Sequence, residues 1–272
     1  MHPLLSTSYK GVYPFKLGTT SYIYPDNIVD NVRLIGPYVD EIELLLFESK
    51  PGSLPSRKNI DTLNSFSEKY DITYNIHLPT DIFWGDPDPN IRQHAVNTVI
   101  KIMDLVSSLS YSTCTLHLEY NNKTINQDEM KKWQQRTWQS MQQLIASGIK
   151  GESISIETLM YPFAWVEKII KDFNFSVCID IGHLILLKTD LECIFNRFKN
   201  ITSIIHLHGV QHDRDHMPLD TMPKEHMASV MKILTHFTRS VSLEVFSFSH
   251  LVRSLNFLDV CWQAYDKRQL NL

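Results

Sequence analysis

Residues 176–184 read SVCIDIGHL. A β-branched, apolar run of this kind is typical of a buried strand, but this one ends in Asp180, followed by a glycine and His183. A carboxylate and an imidazole three residues apart at the end of such a strand indicate a polar site there. We expect Gly182 to allow a sharp turn that directs His183 back over this site.

Similar apolar runs recur along the chain and alternate with amphipathic segments. Eight of them are found, at residues 15–21, 41–47, 73–79, 113–119, 153–158, 176–182, 201–209 and 240–246. Between them lie segments with helical spacing, such as residues 126–147. Eight strand–helix units with strands that are apolar throughout predict an α/β fold, a (β/α)8 TIM barrel. We expect one domain over residues 1–272, with residues 1–14 as an N-terminal extension. An open doubly wound sheet is the alternative, but no glycine-rich phosphate loop follows the first strand.

The composition limits the class of protein. Hydrophobic residues make up 43% of the 272 residues and charged residues 21%, as in ordinary globular proteins. The net charge of −4 gives no basic surface for nucleic acid. The four cysteines form no Cys-x-x-Cys pair, and neither a signal peptide nor a membrane-spanning stretch is recognisable. We therefore expect a cytoplasmic monomer or small homo-oligomer that binds neither nucleic acid nor membranes.

Polar side chains stand at the ends of six successive predicted strands, where the active site of a parallel barrel forms. The set is His77, His117, Glu157, Asp180, His206, His208 and Glu244. A single residue of this kind is often a core residue satisfied by one hydrogen bond, but six strands in succession favour a shared site. Carboxylates that converge on one point need a positive charge between them. Histidine and carboxylate ligands without thiolates therefore predict one to three divalent transition-metal ions, and we expect Zn²⁺ or Mn²⁺.

The loop after the seventh predicted strand, residues 209–220 (GVQHDRDHMPLD), adds potential ligands. Four of them lie within five residues: His212, Asp213, Asp215 and His216. Together with His183 they would form a second or third metal position. Arg214 in the same loop is a candidate for binding a phosphate or carboxylate. The alternative is a solvated polar turn.

Several residues near the strand ends are candidates for substrate contacts. We place His206, Tyr22 and Trp84 in this group, although aromatic residues at such positions more often belong to the core or the rim. Glu48, at the end of the second predicted strand, is a further substrate-binding or acid–base candidate. Its alternative role is that of a carboxylate that caps a loop.

The strand-end motifs resemble those of the xylose-isomerase-like barrels. They read NIHLP (75–79), TLHLE (115–119), SIET (155–158), IDIGH (179–183), HLHG (206–209) and SLEVF (242–246). This superfamily includes sugar isomerases and epimerases and the endonuclease IV type of apurinic-site nuclease, and the resemblance spans nearly the whole chain. It implies a metal held by Glu157, Asp180, His208 and Glu244.

Endonuclease-like members add two histidines and a more distant metal position to that centre, and the resemblance implies that His77, His117 and His183 match them. Those members also carry an Asp-x-His sequence in the loop after the seventh strand. This sequence departs there, because it reads Asp213-Arg214-Asp215-His216. Which aspartate, Asp213 or Asp215, corresponds to the Asp of the Asp-x-His sequence therefore stays open, and with it the outermost metal position.

A narrower resemblance concerns the segments at 16–49, 74–85, 206–210 and 214–219, which are similar to the cobamide-remodelling phosphodiesterases. It implies hydrolysis of the phosphodiester in the nucleotide loop of a cobamide, giving cobinamide phosphate and the lower-ligand nucleoside. Catalytic roles then fall to Glu157, Glu244, His183 and Arg214. Two alternatives remain for this small-molecule site: a sugar isomerase or epimerase that uses one metal, and a corrinoid-binding barrel without catalysis.

Overall fold

The computed structural model describes residues 2–50, 52–120 and 126–269. Its strands are β1 (Lys16–Thr20), β2 (Glu41–Leu45), β3 (Thr73–His77), β4 (Tyr111–Leu116), β5 (Ile154–Glu157), β6 (Ser176–Asp180), β7 (Thr202–Leu207), β8 (Gly209–Gln211), β9 (Arg214–Met217) and β10 (Ser240–Leu243). All except β8 and β9 close into one parallel barrel in the order β1-β10-β7-β6-β5-β4-β3-β2. The predicted (β/α)8 barrel is therefore confirmed.

Helices connect the strands and cover the barrel. They are α1 (Ile28–Ile35), α2 (Arg57–Tyr70), α3 (Pro89–Leu105), α4 (Gln127–Ala146), α5 (Glu167–Phe173), α6 (Ile181–Leu186), α7 (Leu191–Phe198), α8 (Lys224–Thr235) and α9 (Phe248–Gln269). Short 3-10 turns lie at Gly36–Tyr38, Gly151–Ser153, Phe163–Trp165 and Leu219–Thr221. In the described part of the chain, no helix is both long and apolar enough to span a membrane.

Side-chain caps fix the start of most helices, so each βα loop ends at a defined point. Ser56 before α2 forms a capping box with Asn59, and Asn126 caps α4. Asp180 caps α6 without any intervening loop, because that helix begins directly at Ile181. The last residue of β6 is thus also the cap of the next helix, which holds its carboxylate in one orientation.

The loop after β7, predicted to carry metal ligands with a solvated polar turn as the alternative, contains two strands that were not predicted. Residues 209–217 form an antiparallel hairpin, β8–β9, with Gln211 paired to Arg214. His212 and Asp213 between them both have positive φ, as a two-residue type I′ turn requires. The hairpin lies at the carboxyl end of β7, on the side of the barrel that carries the candidate site.

The division of the chain into an N-terminal extension, residues 1–14, and a barrel stays a prediction. Leu5 and Tyr13 of that extension pack into the core.

Candidate metal centre

Four side chains at the carboxyl ends of neighbouring strands converge on one point. They are Glu157, Asp180, His206 and Glu244, and one nitrogen or oxygen atom of each lies within 4.8 Å of the others. His206 Nδ1 is 3.0 Å from Glu244 Oε2 and 3.6 Å from Glu157 Oε2. The strand register explains the approach, since Asp180 on β6 pairs level with His206 on β7. We call these four residues the central group.

A second group adjoins the central group and shares Glu157 with it. His77, the last residue of β3, and His117, just after β4, each direct a ring nitrogen at Glu157. Glu157 Oε2 lies 2.9 Å from His117 Nε2 and 3.5 Å from His77 Nε2. The other nitrogen of His117 lies 3.1 Å from Glu119 Oε1, so the ring is held at both ends. We call His77, His117 and Glu157 the β3–β4 group.

A third group forms where α6 meets the β8–β9 hairpin. Ring nitrogens of His183, His208 and His216 lie within 4.8 Å of one another. His208 Nε2 is 3.1 Å from Asp180 Oδ2, which links this group to the central one. Asp215 Oδ2 lies 3.5 Å from His183 Nε2. We call the three histidines the hairpin group.

The three groups divide the predicted metal ligands differently from the sequence-based expectation. His206, assigned above to substrate binding, lies in the central group, whereas His208 lies in the hairpin group. In the hairpin, Asp215 and His216 face the site, while His212, Asp213 and Arg214 are exposed. The site roles of Asp213 and Arg214 stay predictions that the geometry does not support.

The central group has the properties of a cation site. His206 Nδ1, His206 Nε2 and Glu244 Oε2 are buried, and none has a hydrogen-bond partner among the described residues. His206 Nδ1 and Glu244 Oε2 nevertheless approach to 3.0 Å. The ligand atoms of a metal ion lie close together in this way, because each directs a lone pair at the cation instead of forming a hydrogen bond with its neighbour. Imidazole and carboxylate donors suit Zn²⁺, Mn²⁺ or Fe²⁺. Burial raises the pKa of the Cys178 thiol, which lies beside Glu157 and His206 and could offer a further ligand atom only after it loses its proton.

Opposite charges determine the pKa values in this centre. Burial alone would lower the pKa of His117, but Glu157 raises it to about 10. Likewise, burial would lower the pKa of His183, but Asp180 and neighbouring carboxylates raise it to about 12. Burial would raise the pKa of Glu157, yet His117 and His206 hold it well below its ordinary value. Without a cation, protonated histidines therefore neutralise the carboxylates.

Metal binding is expected to release protons at neutral pH. His117 has a pKa of about 10 in the metal-free protein, so it holds a proton that a metal ion must displace. Raising the pH removes the competing proton, so metal affinity should increase with pH until His117 is neutral. Calorimetric titration in buffers of different ionisation enthalpy measures the protons released. A heat that is independent of the buffer would contradict this assignment.

Gly182 serves close packing rather than a sharp turn. The expected turn is replaced by the first residues of α6, and Gly182 is not among the described residues with positive φ. A Cβ at this position would lie 2.0 Å from His208 Cε1 and 2.5 Å from His208 Nδ1. The missing side chain thus makes room for the His208 ring, which accepts a hydrogen bond from the His216 backbone N–H at 2.9 Å.

Substituting alanine for Gly182 should destabilise the protein, although alanine is normally the better helix residue. The added methyl group must displace His208, so we expect a cost of about 1–3 kcal/mol in free energy of unfolding. Chemical denaturation measures it. Gly52→Ala is the matched control, because a Cβ there meets no atom within 4 Å. Equal stabilities of the two variants would show that His208 is not confined in this way.

Two cavities open above these groups. One, of about 300 Å³, lies over the metal-ligand candidates and is lined by His77, His117, Glu157, His183, His216 and Glu244. The other, of about 570 Å³, shares His117, Glu119 and His183 with it. Its remaining walls are mostly apolar and aromatic: Tyr120, Leu159, Met160, Tyr161, Pro162, Trp165 and Leu187. Five of these residues, Leu159, Met160, Tyr161, Pro162 and Trp165, lie in the segment after β5, which carries no charged motif that would predict a site.

Three predicted substrate contacts lie elsewhere. Trp84 is fully buried and lines neither of the two cavities, in agreement with its alternative place in the core, and its role in substrate binding stays a prediction that the geometry does not support. Glu48 accepts a hydrogen bond from Ser53 Oγ at 2.8 Å, in agreement with its alternative role in a loop. Tyr22 is 57% exposed and lines neither of the two cavities. Roles for Tyr22 and Glu48 in substrate binding stay predictions.

A parallel eight-stranded barrel with a histidine–carboxylate centre at the carboxyl ends of its strands defines a class of barrel enzymes with metal-dependent members. The sequence profile of the xylose isomerase-like TIM barrel family matches residues 29–259, so the chain belongs to that family. No curated protein sequence matches it.

Solved structures resemble the chain over most of its length. A D-tagatose 3-epimerase-like protein is 16% identical, with 93% of this chain and 99% of that chain covered and a TM-score of 0.76. The IOLI protein, solved with a bound zinc atom, is 14% identical, with coverages of 92% and 99% and a TM-score of 0.70. A family 2 AP endonuclease from Brucella melitensis is 13% identical, with coverages of 86% and 93% and a TM-score of 0.57. Such low identities show the fold alone.

Proposed function

We propose that this protein is a metal-dependent phosphodiesterase that hydrolyses the nucleotide-loop phosphodiester of a cobamide. One observation carries the hydrolase assignment: two further groups of potential ligands adjoin the complete central group. The β3–β4 group shares Glu157 with it, and the hairpin group contacts it through Asp180. An enzyme that uses a single metal ion has no need of these five additional histidines.

The residues at the centre suit this reaction. Ions held by the central group and the β3–β4 group would polarise the phosphate and lower the pKa of a water molecule, and His183 of the hairpin group would stay free of metal for proton transfer. Glu157 contacts one histidine of each outer group, His117 through Oε2 and His183 through Oε1. It therefore connects the central group, the β3–β4 group and the hairpin group. Glu244 faces the same His206 nitrogen as Glu157 and completes the central group.

The proton that hydrolysis requires is assigned to His183. Cleavage breaks one P–O bond, and the departing oxygen must take up a proton. His183 lines both cavities, so it stands between the ligand groups and the space for the rest of the substrate. Its Nδ1 lies 3.0 Å from the Thr158 carbonyl oxygen, and its Nε2 faces Asp215 at the mouth. His183 Nε2 is thus placed to carry that proton.

The choice of a cobamide rests on the sequence resemblance, and the larger cavity agrees with it. Its walls offer aromatic and aliphatic surface with few polar groups, and the Tyr161 hydroxyl already donates to the Leu118 carbonyl oxygen. A planar base fits such walls by stacking. A free sugar would leave most of its hydroxyl groups without partners there. We therefore place the base of the released nucleoside in the larger cavity.

A sugar epimerase or isomerase is the second candidate. The central group alone is a complete set of four ligands, with Glu157 and Glu244 available as the acid and base. Several solved structures similar to this chain are sugar epimerases, including an L-ribulose 3-epimerase. This similarity supports the second candidate better than it supports the phosphodiesterase.

Product analysis separates the candidates. Protein stripped of metal and reloaded with Zn²⁺ or Mn²⁺ is incubated with an adenine-bearing cobamide and, in parallel, with ketohexoses. We expect cobinamide phosphate and the nucleoside by mass spectrometry from the reloaded protein, and neither product from the stripped protein. Epimerised sugar with an intact cobamide would establish the second candidate. Tight corrinoid binding without either product would indicate a non-catalytic barrel.

A further inference from the structure

Glu43 is a buried acidic residue below the central group, in the middle of β2 and away from the strand ends that predicted the site. It lies on β2, faces the inside of the barrel and is fully buried. Its Oε2 accepts a hydrogen bond from Ser242 Oγ at 2.5 Å. Its Oε1 lies 3.1 Å from His206 Nε2. Glu43 therefore approaches His206 from below, on the side away from the cavities.

The two nitrogens of His206 face different surroundings. Nδ1 faces the central group, at 3.0 Å from Glu244 Oε2 and 3.6 Å from Glu157 Oε2. Nε2 faces Glu43, and neither His206 Nε2 nor Glu43 Oε1 has a hydrogen-bond partner in the described part of the chain. Leaving both atoms buried and unpaired is costly. The two atoms lie 3.1 Å apart without the alignment of a hydrogen bond, and a small rotation of the His206 ring would direct an Nε2 proton at Glu43 Oε1 and leave the lone pair of Nδ1 free.

We propose that Glu43 is a positioning residue that keeps the proton of His206 on Nε2 and so presents Nδ1 to the metal ion. This inference rests on the metal centre of the proposed function. Carboxylates that hold the second nitrogen of a ligating histidine fix its tautomer and ring orientation and increase its basicity. Glu43 lines neither of the two cavities and contacts His206 Nε2 at 3.1 Å, while ligand atoms of His77 and Glu244 lie within 4.8 Å of it.

Glu41 provides a matched control. It lies two residues earlier on β2, faces the same side and is equally buried. Its carboxyl oxygens already have partners, because Thr73 Oγ1 donates to Oε2 at 2.8 Å and Asn75 Nδ2 lies 3.2 Å from Oε1. A substitution at Glu41 thus perturbs a buried acid on the same strand without contacting His206.

The test measures metal binding directly. Metal-stripped wild type, Glu43→Ala, Glu43→Gln and Glu41→Gln are titrated with Zn²⁺ against a competing chelator, and Co²⁺ is used for absorption spectra. We expect Glu43→Ala to lower the affinity of the central site about 10–100-fold and to change the Co²⁺ spectrum. Glu43→Gln should lose less, since its amide oxygen still accepts the Nε2 proton. Glu41→Gln should keep the wild-type affinity and spectrum.

Three results would overturn the inference, and only one of them would also refute the proposed function. Wild-type affinity and spectrum in both Glu43 variants would refute the role of Glu43 and leave the metal centre standing. Loss of one bound ion in Glu43→Gln, with the remaining sites unchanged, would make Glu43 a ligand, because Glu43, His77, His206 and Glu244 also lie within 4.8 Å. A wild-type protein that binds no divalent metal would refute this inference and the proposed function together.

Discussion

Replacing Glu157 with glutamine should abolish activity and cause the largest loss of metal affinity of any single substitution. Glutamine keeps the shape of the side chain but removes the charge that His77, His117 and His183 share. The site is buried, so no solvent compensates for the loss. We expect at least about a 1,000-fold decrease in kcat/KM, equivalent to about 4 kcal/mol of transition-state stabilisation.

The control for this variant is Glu152→Gln, an exposed glutamate just before β5 at the opposite end of the barrel. Activity and bound metal are measured for both variants, and circular dichroism verifies that each is folded. A folded Glu157→Gln protein that retains both its metal and its activity would show that the three ligand groups are not joined through this residue.

Alanine substitutions at His77 and His117 should distinguish hydrolysis from epimerisation. Both residues belong to the β3–β4 group and lie outside the central group. If the second group holds an ion that acts on the phosphate, each substitution should reduce phosphodiester cleavage by about 100-fold or more, because an ion of this kind contributes several kcal/mol. The central site should still bind metal. The epimerase hypothesis predicts instead that sugar turnover survives both substitutions.

His94→Ala is the matched control, since His94 is an exposed histidine on α3. The measurements are kcat/KM and the number of bound ions per chain. Unchanged cleavage in both His77→Ala and His117→Ala would contradict the assignment of this group to catalysis.

The barrel and the neighbourhood of its centre were predictable from the sequence. Each strand of a parallel barrel is buried on both faces, so the runs at 41–47 and 176–182 stand out as continuous apolar segments. The polar residues that interrupt the strand ends, such as Asp180 and Glu157, are conspicuous for the same reason. Their convergence follows from the parallel topology alone, because all the carboxyl ends lie at one end of the barrel.

The details of the centre depend on distances that a strand pattern does not contain. His206 and His208 lie two residues apart in one predicted strand, so the sequence pattern places both on the same face. In the structure β7 ends at Leu207, between them, and His206 belongs to the central group whereas His208 belongs to the hairpin group. Glu43 stands two residues after Glu41 in a predicted strand, so the pattern does not show which of them reaches His206. The β8–β9 hairpin was missed because His212 and Asp213 occupy positive φ without the usual glycine.

The number of divalent ions bound per chain distinguishes a centre with several metal ions from a centre with one. Metal-stripped wild-type protein is reloaded with Zn²⁺ or Mn²⁺, freed of unbound ions and analysed for metal, alongside a His77→Ala, His117→Ala double variant. We expect more than one ion per wild-type chain and one ion fewer in the double variant. A single ion in both proteins, or none in the wild type, would contradict this expectation.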